Sequence, residues 1–516
     1  MIILYHNNKS VTQVISTEGR ALSFSEKNSI TTELLILAAT FPEEKIVWCH
    51  CALESQLNVD FIQKNETYNN TLFSFNPYPT PYLTDAIGYV ENSVFININK
   101  ANTYPTWLMS GSAGYAHASV FLNADDAVST ANDFDYFLNS LAKKHMPLGL
   151  FCYSEPRLLK STSAFSEIKA RKTSRFTLFK FVKEHYRTRW VFLLLLDFLI
   201  YEKKIPLLPL LFSLSYKKKS VESYNLTEVS LLKHSGITEE DTIDVLIPTI
   251  GRKKYLYDVL LDLKKQNILP KNVIIIEQNG DVTASSELDY LTTEDWPFTI
   301  LHTFTHTLGA CNARNLALEQ LKSKWVFFAD DDVRIDADFL HQCLLNCKNY
   351  DKKALTLSCL QKGEKFIETK PFQWVSFGTC SSFVASEVLV DIRFSKSFEF
   401  GYGEDSDFGK KIRNAGTDVV FFSNPKLLHL KAPMGGFRTK FKFDWSDEKY
   451  QPKPSPTVML YKLTHETTEE INGYKTLLFL KSFGKQGIKN PFRFYTTLKK
   501  QWNTSVFWAQ KLKERN

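Results

Sequence analysis

Trp325-Val326-Phe327-Phe328-Ala329-Asp330-Asp331-Asp332 sets an apolar run directly against three carboxylates. The run reads as a buried strand that delivers negative charge to the edge of a sheet. In extended chain the side-chain period is two, so Asp330 and Asp332 point to one side and Asp331 to the other. Two carboxylates on one side repel unless a cation lies between them. Oxygen ligands of this kind suit Mg²⁺ or Mn²⁺, which commonly share their remaining positions with substrate phosphates. The competing reading is an acidic loop, or a helix cap on Asp332.

The flanking sequence alternates between strand and helix patterns. Strands are expected over 244–248, 273–276, 298–301 and 325–329, and Leu256, Val259, Leu260 and Leu263 recur at helical spacing after the first. This order specifies a parallel sheet with helices on both faces, in which ligands gather at the carboxyl ends of strands. Glu277, Asp330 and Asp332 fall at that edge. Gly309-Ala310-Cys311-Asn312-Ala313-Arg314-Asn315 opens a further helix, whose N–H groups, with Arg314, form an expected anion site for a phosphate. Gly401-Tyr402-Gly403-Glu404-Asp405-Ser406-Asp407-Phe408 puts paired acids at a glycine-freed turn before a helix ending near Gly416, with Asp405 or Ser406 as a plain N-cap the alternative.

With 516 residues the chain exceeds one ordinary core and implies roughly two to four units. Hydrophobic content of 44% with 23% charged residues belongs to a globular protein. The first 160 residues read as a separate α/β domain, with strands near 1–5, 45–51 and 148–153 and helices near 31–40 and 134–144. Within it, Ser119-Val120-Phe121-Leu122-Asn123-Ala124-Asp125-Asp126 echoes the acid-terminated strand and raises an old internal duplication against chance similarity. Residues 161–240 read as a basic, Leu-rich linker or membrane-surface segment. From Lys169 to Arg189, eight Lys/Arg face one acid, and Trp190 to Leu214 is too interrupted for a bilayer span. Residues 436–516 form a basic, aromatic-rich extension, with ten Lys/Arg against one acid from Lys475 onward. Basic charge interleaved with aromatics favours an anionic membrane surface, against buried helices with solvated basic faces; no nucleic-acid module accompanies it. The eight Cys lack framework spacing and read as reduced thiols, with Cys49-His50-Cys51 a core strand rather than a zinc site. The start carries no signal-peptide pattern, so a cytoplasmic location and an unglycosylated Asn225 are expected.

Taken together, the motifs over about 242–435 resemble glycosyltransferase family 2. Ile247-Pro248-Thr249-Ile250-Gly251-Arg252 is similar to its first-strand turn, and Glu277-Gln278-Asn279-Gly280-Asp281 to its second-strand acid. Ala313-Arg314-Asn315, Asp330 to Asp332 and Glu404-Asp405 complete the set in the family's order. The resemblance implies a GT-A domain over 241–435. Pro248, Thr249, Arg252, Glu277, Arg314, Asn315, Asp330 and Asp331 would line the nucleotide, with Glu277 and Asp330 on base and ribose. Asp332, with His429, would bind Mn²⁺ or Mg²⁺, and Asp405, beside Glu404, would be the catalytic base, its pKa raised by Glu404 and Asp407. Glu277 stands where the family more often has Asp. Trp374, Phe377 and Tyr402 are candidates to stack on an acceptor sugar.

The reading that follows is an inverting, metal-dependent transferase, peripheral on the inner face of the plasma membrane. It would move sugar from a nucleotide-diphosphate sugar, UDP-sugars foremost, to a glycan or lipid-linked saccharide acceptor in surface polysaccharide biosynthesis. The alternative is a catalytically inactive transferase-like protein that binds membrane or assembly partners. A sugar-nucleotide pyrophosphorylase would need a glycine- and lysine-rich loop after the first strand, which is absent. Donor sugar, acceptor, linkage and oligomeric state are not written in the sequence.

Overall fold

Alternation in the first strands sends Ile2, Leu4, Ile46 and Trp48 to one face and Ile3, Tyr5, Val47 and Cys49 to the other, and both sets are buried. Such strands need cover on both sides. A computed structural model describes residues 1–65, 69–123, 133–161, 171–219, 236–432, 441–485 and 487–515. The chain divides into two units, Met1–Leu231 with Glu466–Gln486, and Leu232–His465 with Gly487–Asn516.

The first unit holds a seven-stranded sheet of β1 (Ile2–His6), β2 (Val11–Ser16), β3 (Lys45–His50), β4 (Thr71–Phe75), β5 (Tyr104–Pro105), β6 (Ala113–His117) and β7 (Phe151–Ser154). Its order is β2-β1-β3-β6-β4-β7-β5, with β1 parallel to β3 and β4 parallel to β7. β6 runs antiparallel between β3 and β4, and Gly114 permits the packing there, because a Cβ would strike the Trp48 ring and the Phe73 carbonyl.

Two expectations are corrected here. The apolar run over 119–122 is not a strand: Ala118–Leu122 is helical, started by the His117 imidazole accepting the Ser119 N–H. Asp125 and Asp126 lie outside the described residues, as do Lys169 and Asn225. The alternation expected across Cys49-His50-Cys51 stops at His50, where a short 3₁₀ helix begins, so Cys49 is buried and Cys51 exposed.

The basic segment builds the helices Arg175–His185, Arg189–Tyr201 and Leu207–Leu214. Leu178, Phe179, Phe181, Val182, Val191, Leu194, Phe198 and Leu210 enter the core on the face lined by Leu4 and Trp48. The opposite faces stay in solvent: Leu207 is 53%, Leu208 70%, Leu211 62% and Phe212 44% exposed. Lys203, Lys204, Lys217 and Lys218 flank them, also exposed. Among the described residues no helix is long and apolar enough to cross a membrane.

The second unit is built on a nine-stranded sheet. Its strands are β8 (Ile243–Thr249), β9 (Asn272–Gln278), β10 (Thr299–Thr305), β11 (Trp325–Ala329), β12 (Val333–Arg334), β13 (Ala354–Gln361), β14 (Phe372–Gln373), β15 (Ser381–Ala385) and β16 (Val420–His429). The path β10-β9-β8-β11 is parallel, as expected. Beyond β11 the sheet is mixed: β15 is antiparallel to both β11 and β13, and β13 is parallel to β16. The all-parallel expectation fails at β15, which pairs Phe383 against Phe327 in the antiparallel direction. Leu256, Val259, Leu260 and Leu263 are the buried face of the helix Lys253–Lys264. In the C-terminal helix Pro491–Lys513, Phe494, Leu498, Trp502, Ser505, Ala509 and Leu512 form an inward stripe at helical spacing.

Candidate active site

The register Thr249↔Glu277 and Phe328↔Leu246 brings the carboxyl ends of β8, β9 and β11 to one edge. The chain leaves β11 at Ala329, and its three acids diverge to different partners. Asp330 meets Arg314 Nη2 at 3.3 Å. Asp331, 2% exposed, accepts from Thr249 Oγ1 at 2.7 Å and from Arg252 Nη1 at 2.6 Å. Burial nevertheless pushes its pKa up to about 6 against those two partners. Asp332, also 2% exposed, accepts the Ala432 N–H at 2.8 Å, and its other oxygen lies 3.1 Å from His429 Nε2. Burial alone would raise the Asp332 pKa; His429, the Ala432 N–H and Arg252 together hold it below the ordinary carboxylate range.

Asp330, Asp332 and His429 present ligand atoms within 4.8 Å of one another, although Asp331 and Asp332 lie in a turn after β11 and not in the extended chain that the alternation argument assumes. Asp332 Oδ1 is buried with His429 Nε2 3.1 Å away as its close polar neighbour. A buried carboxylate oxygen beside an imidazole and a second carboxylate fits a divalent cation with O and N ligands.

The expected phosphate site at the helix Ala310–Leu318 is corrected. The Glu399 carboxylate already sits on that helix start, accepting from Cys311 N and Asn312 N at 3.0 Å each, and Gly309, at φ 135°, leaves it room. A side-chain carboxylate therefore satisfies the orphan donors. Arg314 is turned instead toward the acids, buried, and acts on Asp330 and Asp405 together. Asn315 brackets the backbone of Phe394 with both amide atoms, at 2.8 Å each way, and so has a structural task. Glu277 closes β9 buried, 2.9 Å from His302 Nε2. Pro248 precedes Thr249 in β8.

Gly403, at φ 114°, caps the helix Glu404–Asn414, so the N-cap reading for Asp405 or Ser406 falls and Glu404 and Asp405 occupy the first turn. Asp405 accepts from Thr379 Oγ1 at 2.8 Å. Burial raises its pKa first, Arg314 and Thr379 oppose, and Asp330 adds to the rise. Glu404 is pushed up to about 7 by burial and then by Asp405. The expected contribution of Asp407 is corrected, since it is ion-paired with Lys411 at 2.6 Å and hydrogen-bonded to His465 at 2.7 Å. Of the three stacking candidates, Phe377 is core, packed on Phe328 and Phe408, and Trp374 packs on Phe372 and Phe421. Tyr402 is 63% exposed. Sequence reasoning missed Thr379 and Glu399, which no local pattern marks.

Glu404 and Asp405 supply a pH signature. Their folded-state pKa values lie above the unfolded ones, so their contribution to stability is full below the ordinary carboxylate range and falls as pH rises, the Glu404 share being lost by about 7. Glu404→Gln is expected to flatten the fall in Tm between pH 4.5 and about pH 7, by roughly 2 °C, measured by calorimetry.

Comparison with known proteins adds the family. The profile described as Glycosyl transferase family 2 matches residues 244–399. No curated protein matches the chain. Among solved structures the chain is similar to S. aureus TarS 1–349 in complex with UDP-GlcNAc, at 19% identity over 53% of this chain and 82% of that one, with TM-score 0.37. It is also similar to the same fragment in complex with UDP, at 14% identity over 53% and 92%, TM-score 0.34. A further match is S. aureus TarS at 17% identity over 47% and 44%, TM-score 0.33. Residues 244–399, which carry the strand-edge acids and Arg314 within the second α/β unit, match the glycosyl transferase family 2 profile.

Proposed function

We propose that the protein transfers a sugar, with inversion, from a nucleotide-diphosphate donor to a hydroxyl of a glycan or lipid-linked saccharide in surface polysaccharide assembly, with UDP-sugars the first donors to test. The observation that carries this reading is the cluster at the strand edge: Asp330, Asp332 and His429 offer ligand atoms within 4.8 Å of one another, with the buried Arg314 3.3 Å from Asp330. The family match supports the reaction class.

Asp330, Asp332 and His429 would hold Mn²⁺ or Mg²⁺, which when bound supplies charge neutralisation for a departing diphosphate. Thr249 and Arg252 fix Asp331 and keep the strand-edge loop in place, while Glu277 and Asp330 are assigned to the nucleoside. Asp405, anchored by Thr379, takes the proton from the acceptor hydroxyl, with Glu404 as its acidic neighbour. A carboxylate raised by burial is better matched to that task near neutrality than an exposed one. The lysine-flanked Leu207–Leu214 face is assigned to the inner leaflet of the plasma membrane.

The test is nucleoside diphosphate release across a donor panel, with and without Mn²⁺. Metal-stimulated release with one donor class supports the proposal; binding without release from any donor and acceptor pair leaves the inactive, partner-binding alternative. The membrane assignment has its own measurement. Leu208→Glu with Leu211→Glu is expected to weaken co-sedimentation with anionic vesicles by at least about a hundredfold, because each exposed Leu gains about 1.5–3 kcal/mol on burial. Equal binding by the variant and the natural protein removes this face from the interface.

A further inference from the structure

Two thiols stand beside the candidate cation site and have no part in the chemistry above. Cys359 lies near the end of β13, and Cys380 immediately precedes β15, in the turn closed by Ser381 N donating to Gly378 O. The pairing of Gln361 with His429 and of Cys359 with Leu427 brings β16 alongside them. Their sulfurs are 3.8 Å apart, and Cys359, Cys380 and His429 offer three ligand atoms within 4.8 Å of one another, all half-buried and so reachable by an ion.

That spacing has a chemical meaning. A disulfide needs sulfurs about 2.05 Å apart. Tetrahedral Zn²⁺, at about 2.3 Å from each thiolate, separates two sulfurs by about 3.8 Å. Two thiolates and one imidazole, with a fourth position open, make a soft ligand set, whereas Asp330, Asp332 and His429 make a hard one.

We propose that Cys359, Cys380 and His429 form a second metal site, selective for Zn²⁺ and other thiophilic cations, that shares His429 with the Asp330–Asp332 site. Filling it draws His429 toward the sulfurs and away from Asp332. Binding replaces the two thiol protons with the metal, so protons are released as it fills. Because one imidazole serves both sets, each ion lowers the affinity for the other by the same factor. The proposal concerns metal binding and does not depend on which sugar is transferred, or on transfer at all.

The test uses the full chain, kept reduced with a phosphine, and Co²⁺ as a spectroscopic probe. A thiolate-to-cobalt charge-transfer band is expected in the natural protein and in Asp332→Asn, displaced by Zn²⁺, and lost in Cys359→Ser and in Cys380→Ser. Mn²⁺ is expected to raise the Co²⁺ midpoint in the natural protein and to leave it unmoved in Asp332→Asn. A readout without mutation runs in parallel: Zn²⁺ should protect Cys359 and Cys380 from alkylation, followed by peptide mass, while the exposed Cys51 stays reactive. Absence of the band, its persistence in both serine variants, or alkylation of Cys359 and Cys380 at an unchanged rate with Zn²⁺ would overturn the site. A band lost in Asp332→Asn, or a midpoint indifferent to Mn²⁺ in the natural protein, overturns the sharing of His429.

Discussion

Asp405→Asn is expected to lower kcat for sugar transfer by about 10²–10⁴-fold while leaving donor affinity within a few-fold. The substitution keeps volume and keeps an oxygen to accept the Thr379 hydroxyl, now at 2.8 Å, so the first turn of the helix has no reason to move. What it removes is the lone pair that accepts a proton. Arg314 loses one of the two acids it faces but retains Asp330 at 3.3 Å, so the strand edge keeps its counter-charge. Single-turnover rates set beside equilibrium donor binding separate the two effects. A variant that turns over at the natural rate ends the assignment of Asp405 as the base. One that loses donor affinity as much as kcat makes Asp405 part of the binding surface instead.

How much of this was readable without coordinates follows from the range of each interaction. The strand Trp325–Ala329, the helix Lys253–Lys264 and the acids after Gly403 are local statements about period, capping and glycine freedom, and each sits where the residues indicate. The cation trio was half legible. The sequence places Asp330 and Asp332 just past one strand end, where a turn rather than alternation sets their sides, and His429 reaches them because β12 pairs Val333 with His429, a contact between distant segments. The helix opened by Gly309 shows the limit most plainly. Its N–H groups read as a phosphate site, yet Glu399, 88 residues beyond Cys311, fills it with the protein's own carboxylate. No spacing rule anticipates such a partner. For the same reason the apolar run over 119–122 only echoes a strand, since a strand and a buried helix of that length share one hydrophobic pattern, and the His117 cap decides between them. The basic segment was legible in charge but not in burial: its inward leucines and phenylalanines complete the first unit's core, and only the outward ones remain for a membrane.

Asp332→Asn is expected to abolish metal-dependent donor binding, and the surroundings of Asp332 dictate how. One carboxylate oxygen accepts the Ala432 N–H at 2.8 Å and lies 3.3 Å from Arg252 Nη1. In the amide, only the carbonyl oxygen can accept that N–H, so the NH₂ group must take the other position. That position is now held by Oδ1, 3.1 Å from His429 Nε2, where a cation would be bound. The variant thus places donor hydrogens at the coordination point and removes a unit of negative charge beside it. The fold bears a smaller cost. Its charge-assisted contacts weaken by about 1.5–3 kcal/mol, and the loss is felt above the ordinary carboxylate pKa, because the natural group's folded value is depressed and its contribution vanishes as pH falls through that value. Thermal unfolding with Mn²⁺ and nucleoside diphosphate distinguishes the two consequences. The natural protein should gain about 2.7 kcal/mol at a hundred times the dissociation constant, whereas the variant should start slightly lower and show no metal-dependent gain. An Asp332→Asn protein that Mn²⁺ stabilises as strongly as the natural one would show that the cation is held elsewhere and that Asp332 serves only to tie Ala432 and Arg252 to the strand edge.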